Sequence, residues 1–440
     1  MRAHDDLRHQ PSQAGQAAQA TPQRPDHLPR LLPTGFAAGP ARLAEHCARY
    51  GTPRSSSLDR RRREALIEEV ERSGLTGRGG AGFPTARKLA AVAAQRSPVV
   101  VANGTEGEPA SAKDKVLLAR SPHLVLDGAV LAAEMVGASQ AVIVVHHSVR
   151  EIVDDAVAER RRAGFDRVRT RVVTAADRFV AGEASAVVHW IEDGLPTPTR
   201  KPPRLAERGL GGKPTLVQNV ETLAHLALIA RYGASWFRAV GTAEEPGSML
   251  VTILGAVREP CVHEVAIGTP VQEVLALAGG ASAPHQALLL GGYFGTWVDA
   301  AAAATLPFSS AGLATLGASV GAGLIAALPG DACGLAETAR VVRYLADESA
   351  GQCGPCLFGL DAIAGEFLRL AEGGTSDLGM LRRWLGQVGG RGACSHPDGT
   401  VRLIRSALAA FRPELEQHAQ GWCRATGTAC ILPVPPRRQR

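Results

Sequence analysis

Lysine and asparagine are nearly missing from this sequence. Its 440 residues hold five Lys and two Asn, although Lys plus Arg together number 48. Aromatic residues are scarce as well, at 4%. The skew toward Arg, Ala, Gly and Pro reads as a coding bias, and it singles out each Lys or Asn that persists as one kept for its chemistry. No charge-free apolar run reaches the ~18 residues of a membrane-spanning helix, so no direct membrane span is expected. Net charge is only +6 and no basic block is interleaved with aromatics, which argues against nucleic acid as a partner. Asp5 and Asp6 come early and no apolar core segment follows them, so no secretory signal is expected. Eight Cys in so long a chain do not make a disulfide framework. The Cys353-x-x-Cys356 pair points to metal instead, and the expected compartment is cytoplasmic, with attachment to the periphery of a membrane complex left open. What is present, 45% hydrophobic and 20% charged residues, describes a globular chain of about 2–4 domains.

Residues 1–35, rich in Gln, Pro, Ala and His, read as a disordered arm. A helix is expected over Leu58–Arg72, stopped by Ser73-Gly74. Strands over Pro98–Asn103, Ala141–Val145 and Arg167–Thr174 then alternate with helices over Pro122–Gly137 and Arg150–Arg162, and a helix over Val217–Tyr232 closes the region. This alternation predicts an α/β fold, a mostly parallel sheet covered on both faces. From Ser248 the pattern changes. Strands over Met249–Leu254 and Cys261–Val265, a helix over Val271–Ala278 and a strand over Ala287–Leu290 predict a small α+β domain. The remainder is helical: Gly334–Asp347, then apolar series at Leu360/Ile363/Phe367/Leu370, Leu378/Leu381/Leu385 and Val401/Ile404/Leu408/Phe411/Leu415, enough for a four-helix bundle. The expected boundaries are 36–246, 247–330 and 331–420, with a tail over 421–440.

Five motifs carry chemistry. Gly77-Arg78-Gly79-Gly80-Ala-Gly82-Phe83-Pro84, with Lys88 on the next helix, lets backbone N–H groups approach a phosphate. Alone it fits a flexible glycine loop equally well, and it follows no clear strand. Asn103-Gly-Thr105-Glu106-Gly-Glu108, running on to Lys113-Asp114-Lys115, begins where a strand ends, the place where α/β folds bind ligands. Read in isolation it is also a solvated charged turn. Gly182-Glu183-Ala184-Ser185 is a third. The fourth groups Lys201-Pro-Pro203, Gly211-Gly-Lys213 and Gln218-Asn219-Val-Glu221-Thr222. Helix capping is the plain explanation of both. The fifth is Glu348-Ser-Ala350-Gly-Gln-Cys353-Gly-Pro-Cys356 with Cys394 further on. Thiolates at a loop-to-helix junction suit iron–sulfur or zinc, against structural Cys in a bundle core.

In this order the five motifs resemble the NADH-binding flavoprotein (F) subunit of respiratory complex I, a family that includes diaphorase subunits of NAD-linked hydrogenases and formate dehydrogenases. The likeness runs from about Gly74 to Leu415. It implies an FMN-binding α/β domain, a β-grasp (SLBB-type) domain and a four-helix iron–sulfur domain. FMN would lie on Gly77, Arg78, Gly79, Gly80, Lys88, Asn103, Gly182, Glu183, Gln218, Asn219 and Thr222. NADH would stack near Phe83, with Glu106 positioning the nicotinamide and Glu108 and Lys201 nearby. Cys353, Cys356 and Cys394 would hold a 4Fe–4S cluster. The implied activity is an NAD(P)H dehydrogenase (diaphorase) that passes hydride from NADH to FMN and single electrons through the cluster to an iron–sulfur or ferredoxin-like partner. No side-chain acid or base is required.

The chain departs from that family in places. Its first cluster Cys is Ala350, leaving three thiolates, with His396, Cys333, Cys423 and Cys430 as candidate replacements. The flavin-contacting Asp is Thr105, the Tyr before the Gly-Glu pair is Phe179, and the ribose-reading Glu is Ala184. Two adenine-stacking aromatics become Ala91 and Arg204. Loss of a ribose-reading carboxylate beside a gained Arg is the change that favours a 2′-phosphate, so NADPH is an alternative to NADH. The rival function is a non-catalytic relative that keeps the fold as a protein-binding or assembly protein.

Overall fold

The computed structural model describes residues 27–32, 39–52, 58–199, 202–374, 376–426 and 430–436. Helices α1 (Leu43–Tyr50), α2 (Arg60–Ser73) and α3 (Thr85–Ala93) lead into a sheet of four strands, β1 (Val99–Gly104), β2 (Gln140–Val145), β3 (Arg169–Thr174) and β4 (Thr215–Asn219). All neighbours pair parallel, in the order β3-β2-β1-β4. Between β1 and β2 lie α4 (Lys113–Arg120) and α5 (Pro122–Val136); α6 (Arg150–Arg162), α7 (Ala184–Asp193) and α8 (Val220–Tyr232) follow. The continuous apolar run Val99-Val-Val-Ala102 fits a strand covered on both faces. Val100 and Ala102 face α3, α5 and α8, whereas Val101 packs with Val142, Val144 and α7 residues Val187 and Val188.

One boundary moved. A helix was expected from Val217, but Thr215–Asn219 is the fourth strand and α8 starts at Val220. The Asn219 side chain accepts from the Glu221 amide at 2.9 Å and caps the helix there. Five residues are too few for apolar period to separate strand from helix. The helices α5 and α8 meet at Gly128, where a Cβ would lie 1.9 Å from the Leu223 carbonyl oxygen, so only glycine allows that approach.

The second sheet has the order β6-β5-β9-β7-β8, from β5 (Ser248–Gly255), β6 (Cys261–Ala266), β7 (His285–Leu290), β8 (Thr296–Asp299) and β9 (Leu324–Pro329). β5 and β9 are parallel and the other pairs antiparallel. Neither β8 nor β9 was expected. The Ala-rich run of β9 is wholly buried at the sheet's centre, an environment that composition does not announce.

The C-terminal part holds the four expected helices, Gly334–Asp347, Leu360–Ala371, Leu378–Val388 and His396–Ala410, and a fifth, Arg412–Ala419. The backbone turns at Phe411 (φ −105, ψ 31) and Pro413 opens the fifth helix, splitting the series that ran from Val401 to Leu415.

Parts of the expected arm and tail are described. Most of 1–35 lies outside the described residues, but Arg30 and Leu31 are buried. Their amides donate to Glu264 Oε2 at 2.6 Å, and the Arg30 guanidinium lies 4.0 Å over the Trp236 ring. In the tail, Leu432 is buried and its amide donates to Glu337 Oε1 at 2.6 Å. No single helix among the described residues is long and apolar enough to cross a membrane.

Candidate functional site

At the carboxyl edge of the first sheet, Ala102 pairs with Gln218 and Asn103 with Asn219. Strand order reverses between β1 and β4, which opens a crevice where open α/β sheets bind ligands. A cavity of about 270 Å³ lies there, lined by Gly79, Asn103, Glu106, Glu108, Asp114, Phe179, Gly182, Glu183, Asn219, Phe294, Ala322, Cys394 and His396 among others. A larger cleft of about 530 Å³ lies elsewhere, among Thr296, Gly317, Asp398, Arg402 and Arg405. It contains none of the motif residues, so we take the smaller cavity as the site.

The polar residues there are held by neighbours. Asn103 Nδ2 donates to the Gly182 carbonyl at 3.0 Å, tying the loop after β1 to the turn before α7. Glu183 caps α7, its Oε2 accepting from the Ser185 and Ala186 amides at 2.7 and 3.1 Å. Asn219 caps α8 and donates to Asp114 Oδ2 at 2.7 Å. The capping explanation is therefore correct for both residues, and both also line the cavity.

Glu106 sits in the left-handed region (φ 47), unusual for a residue with a side chain. Its carboxylate accepts from Ser111 Oγ at 2.7 Å and from the Asp114 and Lys115 amides, each at 2.9 Å. Burial, then the Asp114 charge, raises its pKa. Glu108 accepts from the Tyr293 amide at 2.9 Å, and burial pushes its pKa up to about 7.

Other expected contacts lie outside the lining. The Arg78 guanidinium reaches Thr76 Oγ1 and the Pro246 carbonyl, while its amide donates to Thr222 Oγ1 at 2.8 Å. Lys88 Nζ donates to the Val217 carbonyl at 2.7 Å. Gly77, Gly80, Phe83 and Gln218 are also not in the lining, and Phe83 is half-exposed. Lys201 falls outside the described residues. Two buried atoms at the strand ends, Thr105 Oγ1 and Gln218 Nε2, have no hydrogen-bond partner. Such atoms are costly to leave unpaired, which marks the strand ends as a place for a polar ligand.

Cys394 lines this same cavity. Burial and then the neighbouring Cys353 and Cys394 push the Cys356 thiol up to about 12, so the three thiols lie close enough to influence one another. Of the proposed replacements for the Ala350 position, Cys333 is excluded by place. It caps the start of the helix Gly334–Asp347, whereas the Cys353 loop follows that helix's end. Fourteen residues of helix separate the two by about 20 Å. Cys423 lies beside Cys333 and is excluded with it. His396 lines the same cavity as Cys394: its Nε2 meets the Leu345 carbonyl at 2.7 Å, and its Nδ1 is buried with no partner.

Sequence reasoning missed the aromatic wall. Phe179 packs against Phe294 (ring centroids 4.8 Å apart), His396 (5.6 Å), Tyr344 (6.1 Å) and Tyr293 (6.3 Å). In a chain so poor in aromatics, the adjacent pair in Gly291-Gly-Tyr293-Phe294-Gly295 was a signal that could have been used.

Comparison with known proteins agrees with this geometry. Family models match in three places: the Nuo51 FMN-binding domain over residues 70–228, the SLBB domain over 250–292, and the NADH-ubiquinone oxidoreductase-F iron-sulfur binding region over 336–418. The F 2 subunit of the NADH-quinone oxidoreductase of Rhizobium meliloti (strain 1021) is 30% identical over 378 residues, covering 81% of this chain and 89% of that one. The F subunit of the Mycobacterium tuberculosis H37Rv enzyme is 30% identical over 385 residues, covering 81% and 85%. Among solved structures, an NAD+-reducing [NiFe]-hydrogenase in the H2-reduced state aligns with a TM-score of 0.75 at 30% identity, covering 81% of this chain and 62% of that chain.

Proposed function

This chain belongs to the family of NADH-quinone oxidoreductase F subunits, and from that premise we propose that it is an FMN-containing NADH dehydrogenase subunit whose electrons leave through an iron–sulfur cluster. The observation that carries the reading is one shared wall. Cys394, a cluster candidate, lines the same cavity as Asn103, Glu183 and Asn219, so a flavin and a cluster held by these residues would be neighbours.

The donor set fits both groups. The unpaired Thr105 Oγ1 and Gln218 Nε2 suit a polar cofactor at the strand ends, and Gly79 leaves room beside Asn219, where a Cβ would come within 3.3 Å. Cys353, Cys356 and Cys394 supply thiols for three corners of an iron–sulfur cluster, and the buried, unpartnered His396 Nδ1, two residues from Cys394, is a candidate for the fourth. When bound, FMN supplies hydride acceptance and the conversion of electron pairs to single electrons.

The chain's own residues orient and exclude. The Asn103–Gly182 and Asn219–Asp114 bonds fix the walls, Phe179 and Phe294 keep water from one side, and Glu106 and Glu108 present buried carboxyls to the dinucleotide. Leu357 and Phe358, directly after Cys356, are 55% and 76% exposed. An apolar pair there supports an electron-accepting iron–sulfur or ferredoxin-like partner docking at this point. The place of action would be the cytoplasm.

Ala184 and the exposed Arg204 favour a second donor, NADPH. Anaerobic titration of the purified protein with each nucleotide, followed by flavin absorbance, tests both readings. Bleaching by NADH is expected; bleaching by NADPH alone would invert the preference. A colourless protein that cannot be reconstituted with FMN would leave the non-catalytic assembly reading in its place.

A further inference from the structure

The sequence offered Cys333 and Cys423 only as spare ligands for the cluster. The fold places them elsewhere. Among the described residues, Cys333, His418 and Cys423 form a group whose ligand atoms all lie within 4.8 Å of one another. We propose that these three residues bind a zinc ion, separate from the iron–sulfur site, that fastens the C-terminal segment to the start of the helix Gly334–Asp347.

Four observations support the site. The Cys333 Sγ to His418 Nε2 distance is 3.5 Å. Two such ligands on a tetrahedral zinc, at about 2.3 Å for sulfur and about 2.0–2.1 Å for nitrogen, stand about 3.6 Å apart. The other ring nitrogen, His418 Nδ1, lies 3.4 Å from the Leu370 carbonyl. Donation there puts the proton on Nδ1 and turns the Nε2 lone pair toward the two sulfurs, the outer-shell arrangement that zinc-bound histidines use.

Cys333 is the N-cap of a 14-residue helix, and its sulfur accepts from the Ala336 amide at 3.3 Å, a contact that favours the thiolate a bound metal requires. The Cys423 sulfur accepts from the Ala425 amide at 3.4 Å. Glu414 stands beside the site: its Oε2 lies 3.5 Å from Cys333 Sγ and takes the Gly334 and Leu335 amides at 2.9 and 3.2 Å, while its Oε1 takes Gln286 Nε2 at 2.5 Å.

Two thiolates and a neutral imidazole are a zinc set, and they balance the ion's charge; their two thiol protons leave to solvent on binding. Because Cys423 is exposed, the fourth position opens to water. The role is structural. The ion would join three segments, the helix start, the end of the helix Arg412–Ala419, and the residues after it.

The full chain purified from zinc-supplemented culture should contain about one zinc per chain by mass spectrometry. Cys423→Ser and His418→Ala should each lower zinc at least about tenfold while leaving flavin content unchanged; Cys353→Ser should lower iron and leave zinc unchanged. Cobalt loaded in place of zinc should show the red d–d bands of a tetrahedral thiolate site, lost in Cys423→Ser. Zinc that survives Cys423→Ser but disappears with Cys394→Ser would place the metal on the cluster thiols and overturn the proposal. Absence of zinc, with or without a Cys333–Cys423 disulfide in the peptide map, would also overturn it. Flavin reduction by NADH reads the proposed function independently, so failure of either is distinguishable.

Discussion

Lys113 is buried with its ammonium 2.7 Å from Asp114 Oδ1 and 2.8 Å from Glu221 Oε2. Asp114 also accepts from Asn219, so this ammonium stabilises the residues that shape the cavity wall. Lys113→Met would leave two buried carboxylates facing each other. Loss of one partner of a buried pair costs about 3–5 kcal/mol, and urea unfolding should show a shift of that order together with weaker flavin retention. The four described Lys thus serve different ends: beside Lys113, Lys88 binds a strand carbonyl, Lys115 lies 3.6 Å from Glu106, and Lys213 is exposed.

Glu108 makes a second prediction at this scale. Its pKa is raised to about 7, so it is largely neutral below that pH and anionic above it. A dinucleotide carries negative phosphates, so KM for NADH should rise as pH increases through about 7. In Glu108→Gln that step should disappear, and steady-state kinetics across the range would show it. A step of unchanged size in the variant would assign the titration to another group.

At the scale of elements, the cavity proposed for flavin is walled in part by the cap of α8, a helix that packs closely on α5. Gly128 meets the Leu223 carbonyl with no space for a side chain. Gly128→Val should push the helices apart at a cost of at least ~1–3 kcal/mol. Because Asn219 caps α8, flavin should be lost together with stability, read as a lower Tm and a lower flavin-to-protein ratio. Strands β1 and β2 were legible because their Val and Ile runs are buried on both faces. β4 was not: it is short and flows directly into a helix, and only its pairing with β1 identifies it. β9 escaped for a related reason, since an Ala-rich run becomes a strand only between β5 and β7.

For the whole molecule, the expected electron path runs from the cavity through Cys394 to the exposed Leu357 and Phe358. Cys394→Ser should abolish the cluster's electron paramagnetic resonance signal and transfer to a ferredoxin-type acceptor. Flavin bleaching by NADH should persist. Ala350→Cys restores the family's fourth thiol, so iron should be retained at least a few-fold longer under chelator than in the parent. Equal iron loss from both proteins would show that a different group already occupies that corner.

The order of the five motifs was legible in the sequence alone, because glycine loops, a strand-end asparagine and paired cysteines stand out locally. Which cysteines act together was decided by tertiary structure. Cys333 and Cys353 are only 20 positions apart. A helix between them leaves Cys333 beside His418 and Cys423 at one end and Cys353 beyond the other, and chain separation does not encode that division. Likewise, the adjacency of the Asn103 loop, the α7 cap and Cys394 depends on two sheets and a helical bundle packing at one edge. Side-chain distances there are set by that packing rather than by any short run of residues.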